Sequence, residues 1–156
     1  MTKILVDNYD NKRPIYSNYT LYNLDNVNYI DDTLLIQLIN DDDVDKLNNS
    51  IILLDEIHVY LDSLDFMKKH NRTLQGFFSQ LRKRNILLLA TTQYLLNLDV
   101  RIRRQIKNIF EMKHLKASVF NVKVHEIDGY YSNYLHEINV ELSDYYKFYD
   151  TNEVIF

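Results

Sequence analysis

The stretch Ile51-Ile52-Leu53-Leu54-Asp55-Glu56, at positions 51–56, decides the fold class of this chain of 156 residues. Four successive apolar residues, with neither helical nor alternating spacing, are typical of a parallel strand that is covered on both faces. A second short apolar run, Ile86 to Ala90, ends in Thr91-Thr92-Gln93. We therefore predict two parallel strands of an α/β fold, each with polar side chains at its carboxyl end.

A helix is predicted between these two strands. Four apolar residues recur there at the spacing of one helix face, and they are Leu74, Phe77, Phe78 and Leu81. Asn71 is available as the N-cap, and the basic run Arg82-Lys83-Arg84 follows at the C-terminal end, where cations suit the helix dipole. Strand, helix and strand in this order predict a right-handed crossover with the two strands parallel.

The segments before position 51 predict further elements of the same fold. We expect a short helix over Lys3 to Tyr9, a strand over Pro14 to Asn18, and a helix around Leu34 to Leu38 with Asp32 as its N-cap. The acidic cluster at 41–45 reads as a loop. It lacks the glycine and the distal glutamate of a calcium loop, so metal binding there is not favoured.

The segments after position 93 predict an extension of the sheet and then an antiparallel hairpin. A helical turn at 100–106 leads to a strand at Ile109 to Met112, which we expect to extend the parallel sheet. Apolar residues alternate over 120–124 and 138–142, with a turn signal at Asp128-Gly129 between them. Ser143 is expected to cap a last aromatic turn. The predicted division is a core at 1–116 and a hairpin with a terminal turn at 117–156.

The composition excludes several classes of protein. The chain has no cysteine, which excludes a disulfide scaffold, a zinc ribbon and a cysteine nucleophile. Its apolar runs are far shorter than the roughly 20 residues of a membrane helix, so we expect no membrane segment and a cytoplasmic location. The only glycines are Gly76 and Gly129, so the 156 residues hold neither a dinucleotide fingerprint nor a complete phosphate loop.

The charge is distributed unevenly along the chain. Residues 68–116 carry 12 basic and 2 acidic side chains, a balance of +10, whereas residues 1–67 carry −9 and residues 117–156 carry −5. Such a basic block can attract a nucleic-acid backbone or a polyphosphate, because neutralised phosphates release counterions. A solvated face that the acidic flanks balance explains the charge equally well.

The two strand ends suggest phosphate chemistry. Ligands of open α/β sheets bind beyond the carboxyl ends of the strands, where Asp55 and Glu56 would lie. An aspartate in this place can hold Mg²⁺ through its water shell, and the next acid can polarise the water that attacks a γ-phosphate. An amide such as Gln93 on the adjacent strand can sense that phosphate or water. This is the logic of a Walker B motif.

The chain resembles a known family in these same segments. The stretch "IILLDEIHVYLDS", followed by "FFSQLRKRNILLLATTQYLLNLDVRIRRQI", resembles the ATPases of archaeal viruses and related mobile elements. These are similar to the zonula occludens toxin-like group, within the DNA-pumping branch of P-loop ATPases. The resemblance extends to "KRPIYSNYTL" and to "YDTNEVIF". It implies a P-loop NTPase fold of the RecA/ASCE type and a role in DNA packaging or translocation.

The resemblance also implies roles for particular residues. Asp55 would be the aspartate associated with Mg²⁺, Glu56 the catalytic base, Gln93 the polar sensor, and Thr92 a neighbour of the bound ATP. Arg101 and Arg104 lie in an arginine-rich segment where the family carries a candidate arginine finger, for which a solvated helix start is the alternative. The first implied partner is double-stranded DNA, for which the candidate contacts are Arg82, Lys83 and Arg84. The other implied partners are further copies of the chain or a full-length ATPase. The implied location is the host cell of a virus or mobile element.

The chain departs from the family pattern at its start. Members of the family have a strand and a Walker A loop before the first helix, whereas Lys3 already lies where that helix should run. In this branch the absent strand lies between the strand that ends at Gln93 and the one near Ile109. We therefore expect a gap or a repaired pairing there, marginal stability, and no ATP hydrolysis unless an upstream Walker A segment is supplied. The alternative is a DNA-binding or assembly module without catalysis.

A third interpretation is a metal-dependent nuclease. Asp99 with Glu111 and Lys113 roughly matches an acid followed by an acid-x-lysine pair, in which two carboxylates hold a cation and the lysine polarises water. The pattern is short and arises often by chance. The five histidines show no zinc-ligand spacing, and only His58 lies near enough to Asp55 in sequence to approach the same pocket.

Overall fold

The computed structural model describes residues 1–7, 12–40, 43–59, 69–128 and 131–150. Four helices are found in these ranges: α1 (Thr2–Asp7), α2 (Asp32–Asn40), α3 (Lys69–Phe78) and α4 (Val100–Arg103). Short 3-10 helices lie at Asp43–Leu47, Ile57–Val59, Leu95–Asn97 and Ser143–Phe148. Among the described helices, none is long and apolar enough to span a lipid bilayer.

Four parallel strands form the main sheet. They are β1 (Ile15–Ser17), β2 (Val27–Tyr29), β3 (Ile51–Leu54) and β4 (Leu87–Ala90), in the spatial order β2-β1-β3-β4. The register pairs Ile51 with Leu87 and Leu54 with Ala90. The predicted parallel pairing of the two apolar runs is therefore confirmed, and so is the helix between them. The sequence pattern did not predict strand β2.

Strand β3 is the centre of the core. Its alternate side chains face opposite sides of the sheet, as they must in a pleated strand. Ile52 and Leu54 pack with the helices α2 and α3, through residues such as Leu35 and Phe77, whereas Leu53 packs with Leu5 of α1 on the other side. Burying each such side chain contributes about 1.5–3 kcal/mol. A strand covered on both faces explains why its four residues are all apolar.

Strand β4 is only partly covered. Leu87 is 40% exposed, and Ala90 is exposed as well. The expectation that both apolar runs are buried on both faces is wrong for β4, because β3 is its only partner strand in the described part of the sheet. The edge of β4 that faces away from β3 is the place where the family pattern predicted a gap.

Three long strands form a separate antiparallel sheet. They are β5 (Asn108–Lys116), β6 (Val119–Asp128) and β7 (Tyr131–Glu141), in that spatial order. The expectation that the strand near Ile109 extends the parallel sheet is wrong, since β5 pairs with β6 through Phe110↔Val124 and the adjoining residues. The predicted β6–β7 hairpin is confirmed by its pairing up to Asp128↔Tyr131, and Gly129 of its turn lies outside the described residues.

The helix ends differ in detail from the sequence prediction. Asp31, not Asp32, caps α2, because its Oδ1 accepts a hydrogen bond from Leu34 N at 2.7 Å. Asn71 lies inside α3 and is not its cap, and Leu81 lies in the turn that follows the helix. Ser143 is not the cap of the last 3-10 helix but its first residue, and Leu142, at the N-cap position, makes no side-chain cap. Residues 8–9, 41–42 and 151–156, to which parts of the predictions refer, lie outside the described ranges.

The amino ends of β3 and β4 are held together by a polar clamp. Asn49 and Asn85 precede the two strands with φ of 55° and 52°, in the left-handed region that asparagine tolerates better than most residues. Asn85 Nδ2 donates to Asn49 Oδ1 at 2.7 Å. Arg13 Nη2 donates to Ser50 O and to Asn85 O, both at 2.7 Å. One guanidinium therefore binds the starts of both strands.

Candidate functional site

The carboxyl ends of β3 and β4 bring the predicted acids and amide to one edge of the sheet. The parallel pairing continues past the strands, since Thr91 N donates to Leu54 O at 3.0 Å and Ile57 N donates to Thr91 O at 2.9 Å. Asp55 and Glu56 therefore lie directly beside the segment that follows β4. We call this group, formed by Asn18, Asp55, Glu56, His58 and Thr91 to Gln93, the carboxyl-edge site.

Thr91 connects the two strand ends through its hydroxyl group. The hydroxyl donates a hydrogen bond to Asp55 Oδ1, and its oxygen accepts one from Glu56 N–H at 3.0 Å. No other described residue bonds the Asp55 carboxylate. Thr91 thus fixes the direction of Asp55 and leaves the second carboxylate oxygen available. The sequence prediction named Thr92 for the cofactor contact, whereas Thr91 is the threonine that contacts Asp55.

Asn18 was missed by the sequence analysis. It follows β1 and is 1% exposed. Its side-chain amide accepts from Asp55 N at 2.8 Å and donates to Asp55 O at 2.9 Å, so that it replaces the backbone partner that a longer β1 would provide. The available signal was its position at the carboxyl end of a strand expected to be parallel to β3.

Glu56 adopts a backbone conformation that is unfavourable for its residue type. Its φ is 52°, in the left-handed region that costs a residue with a Cβ atom roughly 1–2 kcal/mol. Gln93 Nε2 donates to Glu56 Oε1 at 3.0 Å, so the predicted acid and amide are in direct contact. Strain of this kind persists where the surroundings enforce it, and functional sites are common among such places.

The second carboxylate oxygen of Glu56 is buried without a hydrogen bond. Oε2 is inaccessible to solvent and has no hydrogen-bond partner in the described part of the chain. His58 Nδ1 lies 3.1 Å away, within ion-pair distance, although its approach does not meet the geometry of a hydrogen bond. The same nitrogen lies 3.4 Å from Thr92 Oγ1. His58 thus belongs to the site, as its closeness to Asp55 in sequence allowed.

The α-amino group of Met1 feels the charge of the carboxyl-edge site. Burial lowers the pKa of this amino group below its ordinary value, and the Asp55 carboxylate partly opposes this shift.

The arginines proposed as fingers lie on and beside α4. Arg101 donates from Nε and Nη2 to the Asp99 carboxylate at 3.0 and 2.9 Å, and its backbone N–H donates to Asp99 Oδ1 at 2.8 Å. The side-chain hydrogen bond from Arg101 lowers the pKa of Asp99. Asp99 is thus the N-cap of α4, and Arg101 is half-exposed while bound to it. Arg104 is exposed at the end of this helix.

The three basic residues proposed to contact DNA lie near the amino end of β4, at the end of the main sheet opposite the carboxyl-edge site. They precede β4, whereas the carboxyl-edge site follows it. Arg84 is committed to the fold, since Nη1 donates to Asp45 Oδ1 at 3.0 Å and to Asn48 Oδ1 at 3.1 Å. Arg82 and Lys83 are exposed. Lys83 lines a shallow polar groove with Arg84, Gln80 and three asparagines, Asn48, Asn49 and Asn85.

Three of the acids considered for the nuclease and for the acidic cluster have cationic partners. Asp99 binds Arg101, Asp45 binds Arg84, and Asp43 forms an ion pair with Lys46 at 2.6 Å. Within the described ranges, no group of three or more acidic or histidine side chains is arranged to hold a metal ion. The bond to Arg101 occupies Asp99, which does not favour the nuclease interpretation, and Asp41 and Asp42 of the acidic cluster lie outside the described residues.

Comparison with known proteins shows a likeness of fold. No protein-family model matches the sequence, and neither does any curated protein. The chain is similar in structure to the N-terminal domain of zonular occludens toxin from Neisseria meningitidis. The TM-score is 0.67 at 14% sequence identity, over 94% of this chain and 88% of that one. The resemblance that the sequence motifs indicated is therefore supported at the level of the α/β fold alone.

Proposed function

We propose that this chain is the Walker B and sensor half of a P-loop ATPase of a virus or mobile element, acting in DNA packaging or translocation. One observation carries the proposal. Two acids at the tip of β3 are in contact with Thr91 and Gln93 at the tip of β4, on a fold similar to the N-terminal domain of zonular occludens toxin. Adjacent strand ends that carry an acid pair and an amide suit the positioning of water beside a phosphate.

The donor groups of the carboxyl-edge site fit hydrated Mg²⁺ and ATP. Asp55 has one carboxylate oxygen that no described residue bonds, and Glu56 Oε2 is buried without a hydrogen bond. Asp55 would hold Mg²⁺ through water, and the ion would neutralise charge on the phosphates. Glu56 would orient and deprotonate the attacking water, with Gln93 holding Oε1. Thr92 would lie at the edge of the nucleotide.

The phosphate-binding loop must come from outside these 156 residues, because two isolated glycines cannot form it. The edge of β4 that faces away from β3 supports this proposal, since it is the edge where a further parallel strand can add. We infer that hydrolysis requires an upstream segment or a second polypeptide that supplies the loop.

Arg101 and Arg104 would serve a neighbouring subunit in this function. Arg101 would have to exchange its bond to Asp99 for a phosphate oxygen, and Arg104 presents an exposed side chain next to the end of α4. Arg104→Ala should then reduce hydrolysis by an assembled complex without changing nucleotide binding. An equal loss of both would place Arg104 in the binding site of its own subunit.

The test separates binding from hydrolysis. Binding of ATP is measured with and without Mg²⁺, for the chain alone and with an added phosphate-loop segment, and phosphate release is followed in the same samples. Asp55→Asn should weaken the Mg²⁺-dependent binding at least tenfold, and Glu56→Gln should abolish release while it preserves binding. Glu126→Gln, at an exposed carboxylate of β6, is the matched control. Binding that is equal in Asp55→Asn and the wild type would refute the site.

The alternative function is a DNA-binding module without catalysis. The observation that favours it is the exposed pair Arg82 and Lys83, which lies within the basic block of residues 68–116. Binding to double-stranded DNA across a salt series would weaken linearly on logarithmic axes if phosphates are contacted. Salt-sensitive binding that Arg82→Ala and Lys83→Ala reduce, together with no nucleotide binding under any condition, would select this alternative.

A further inference from the structure

The outer edge of β5 is long, exposed and unpaired in the described part of the chain. Strand β5 bonds only to β6, and it has nine residues, eight of which are exposed. Phe110 and Met112 are 45% and 49% exposed. A strand edge of this kind is a template for pairing with another strand.

The hydrogen-bond pattern identifies the residues that face this edge. Ile127 N donates to Lys107 O at 2.7 Å, which makes those two residues a hydrogen-bonded pair of the antiparallel ladder. Backbone groups then alternate along β5. Ile109, Glu111 and Lys113 direct theirs toward β6, whereas Phe110, Met112 and His114 direct theirs toward the open edge.

The sequence of β5 is complementary in charge to a second, antiparallel copy of itself. If two copies pair in antiparallel fashion about Met112, Phe110 faces His114 of the second copy, and Glu111 faces Lys113. The residues with outward backbone groups then form the hydrogen-bonded pairs, about six bonds in all. Opposite charges that lie directly across a strand pair are favourable. Both the backbone and the charges therefore fit in one register.

The neighbouring registers do not fit. Moving the centre by one residue places Glu111 opposite Glu111, or Lys113 opposite Lys113, and like charges directly opposite are unfavourable. Strand β7, the other edge of this sheet, has Glu137 and Glu141 and no lysine or arginine between Tyr131 and Glu141, so two copies of it would repel. The favoured partner of β5 is thus a second β5.

The apolar face of the sheet would continue across this seam. Met112, Val122 and Ile138 form one cross-strand row, in which Val122 is 7% exposed and the two edge residues are half-exposed. Pairing about Met112 places the two Met112 side chains side by side and joins this row to its copy. Apolar area that is exposed at the open edge would then be covered.

We propose that two copies of this chain associate through β5 about a two-fold axis at Met112 and form a continuous six-stranded antiparallel sheet. The regular part of the seam, residues 110–114, is about 17 Å long, from five residues at roughly 3.4 Å each, because the register of β5 shifts between His114 and Lys116. A seam of one short strand pair is small, so we expect a weak association that is measured at micromolar concentrations and above. The proposal is independent of the nucleotide site.

Cysteine crosslinking tests the register, because the chain has no cysteine of its own. In the proposed dimer the two Met112 Cα atoms lie about 5.5 Å apart, within disulfide range. The two Phe110 residues are four positions out of register, about 13 Å apart, and cannot be bridged. Met112→Cys should therefore form a disulfide dimer, of twice 18.8 kDa, at least tenfold faster than Phe110→Cys. Equal rates would overturn the register.

Charge reversal tests the association itself. Lys113→Glu places a second carboxylate opposite Glu111 and should raise the dissociation constant at least tenfold, and Glu111→Lys with Lys113→Glu should restore it. Lys116→Glu changes the net charge equally but does not face Glu111, and should have little effect. Mass is measured by light scattering, and folding by circular dichroism. A monomeric wild type at several hundred micromolar, or growth beyond a dimer by β5–β7 pairing, would overturn the proposal.

Discussion

Replacing Asn18 with alanine should lower the free energy of unfolding more than replacing most single polar side chains would. The substitution removes two hydrogen bonds to the Asp55 backbone, at 2.8 and 2.9 Å. Each bond contributes about 1 kcal/mol, and leaving its backbone partner unsatisfied costs about 1–3 kcal/mol. Asn18 is 1% exposed, so water does not easily replace it. Allowing for partial solvation of Asp55, we expect a loss of about 2–4 kcal/mol.

Urea denaturation measures this loss. With a slope of about 2 kcal/mol per molar, the midpoint should fall by about 1–2 M. Asn18→Asp should be at least as harmful at neutral pH, because it places a buried carboxylate against the Asp55 carbonyl oxygen. Asn97→Ala, at an exposed asparagine, should change stability by less than about 0.5 kcal/mol. A similarly small change for Asn18→Ala would refute the reasoning that Asn18 positions Asp55.

Three further substitutions test the backbone strain at Glu56, the contacts of Asp99 at the start of α4, and the polar clamp that Arg13 forms. Glu56→Gly should be about 1 kcal/mol more stable than Glu56→Ala in urea, because both lose the Gln93 contact and only glycine relieves the positive φ; an equal stability would show that no strain is stored. Asp99→Asn should cost about 1 kcal/mol by loss of the charged contacts to Arg101, because asparagine caps a helix as well as aspartate does. Because the side-chain hydrogen bond from Arg101 lowers the pKa of Asp99, this cost is complete above about pH 4 and is lost as the pH falls through the lower folded value. A difference between the two urea midpoints that does not shrink as the pH is lowered below about 4 would contradict it. Arg13→Lys should lose about 1–3 kcal/mol, since an ammonium group cannot bind both strand starts with the same geometry, and thermal melts that match the wild type would argue against the clamp.

The central part of the fold follows from local sequence patterns. Two apolar runs of four or five residues, separated by one amphipathic helix, leave a parallel crossover as the favoured arrangement. The observed register of Ile51 with Leu87 agrees with it. Contact between Glu56 and Gln93 follows from the same argument, because carboxyl ends of parallel neighbours meet at one edge.

Strand β5 could not be placed from its own residues. The segment Asn108 to Lys116 contains alternating apolar and charged residues, a pattern of a half-buried strand that fits the edge of either sheet. The family pattern favoured the parallel sheet. The long pairing with β6, which continues from Asn108 to Lys116, favours the antiparallel sheet because the two segments are joined by only two residues and need no crossover.

The site contacts that the sequence did not specify have a common physical cause. Asn18 was missed, Thr91 was placed at the strand end without its contact to Asp55, and His58 was named only as able to approach the pocket. These contacts depend on which strand end lies beside each residue and have no periodicity along the chain, so a sequence pattern alone does not fix them. The cap of α2 failed for a similar reason, since Asp31 and Asp32 are chemically identical candidates and only backbone geometry selects one.

The separation of the two ends of the main sheet limits any function in which nucleotide binding and DNA binding are coupled. Asp55 and Arg82 lie at opposite ends of the β3 and β4 strands, which span about 13 Å over four residues. A change at the carboxyl edge can reach the basic turn only through these strands, through α3, or through a neighbouring subunit. Arg13 and the two left-handed asparagines bind the amino ends of β3 and β4 to each other, so a displacement of β4 relative to β3 would break these hydrogen bonds. If the chain binds both ATP and DNA as proposed, Arg13→Lys should weaken the coupling between the two more than it weakens either binding alone, and an unchanged coupling would place the DNA contact on another subunit.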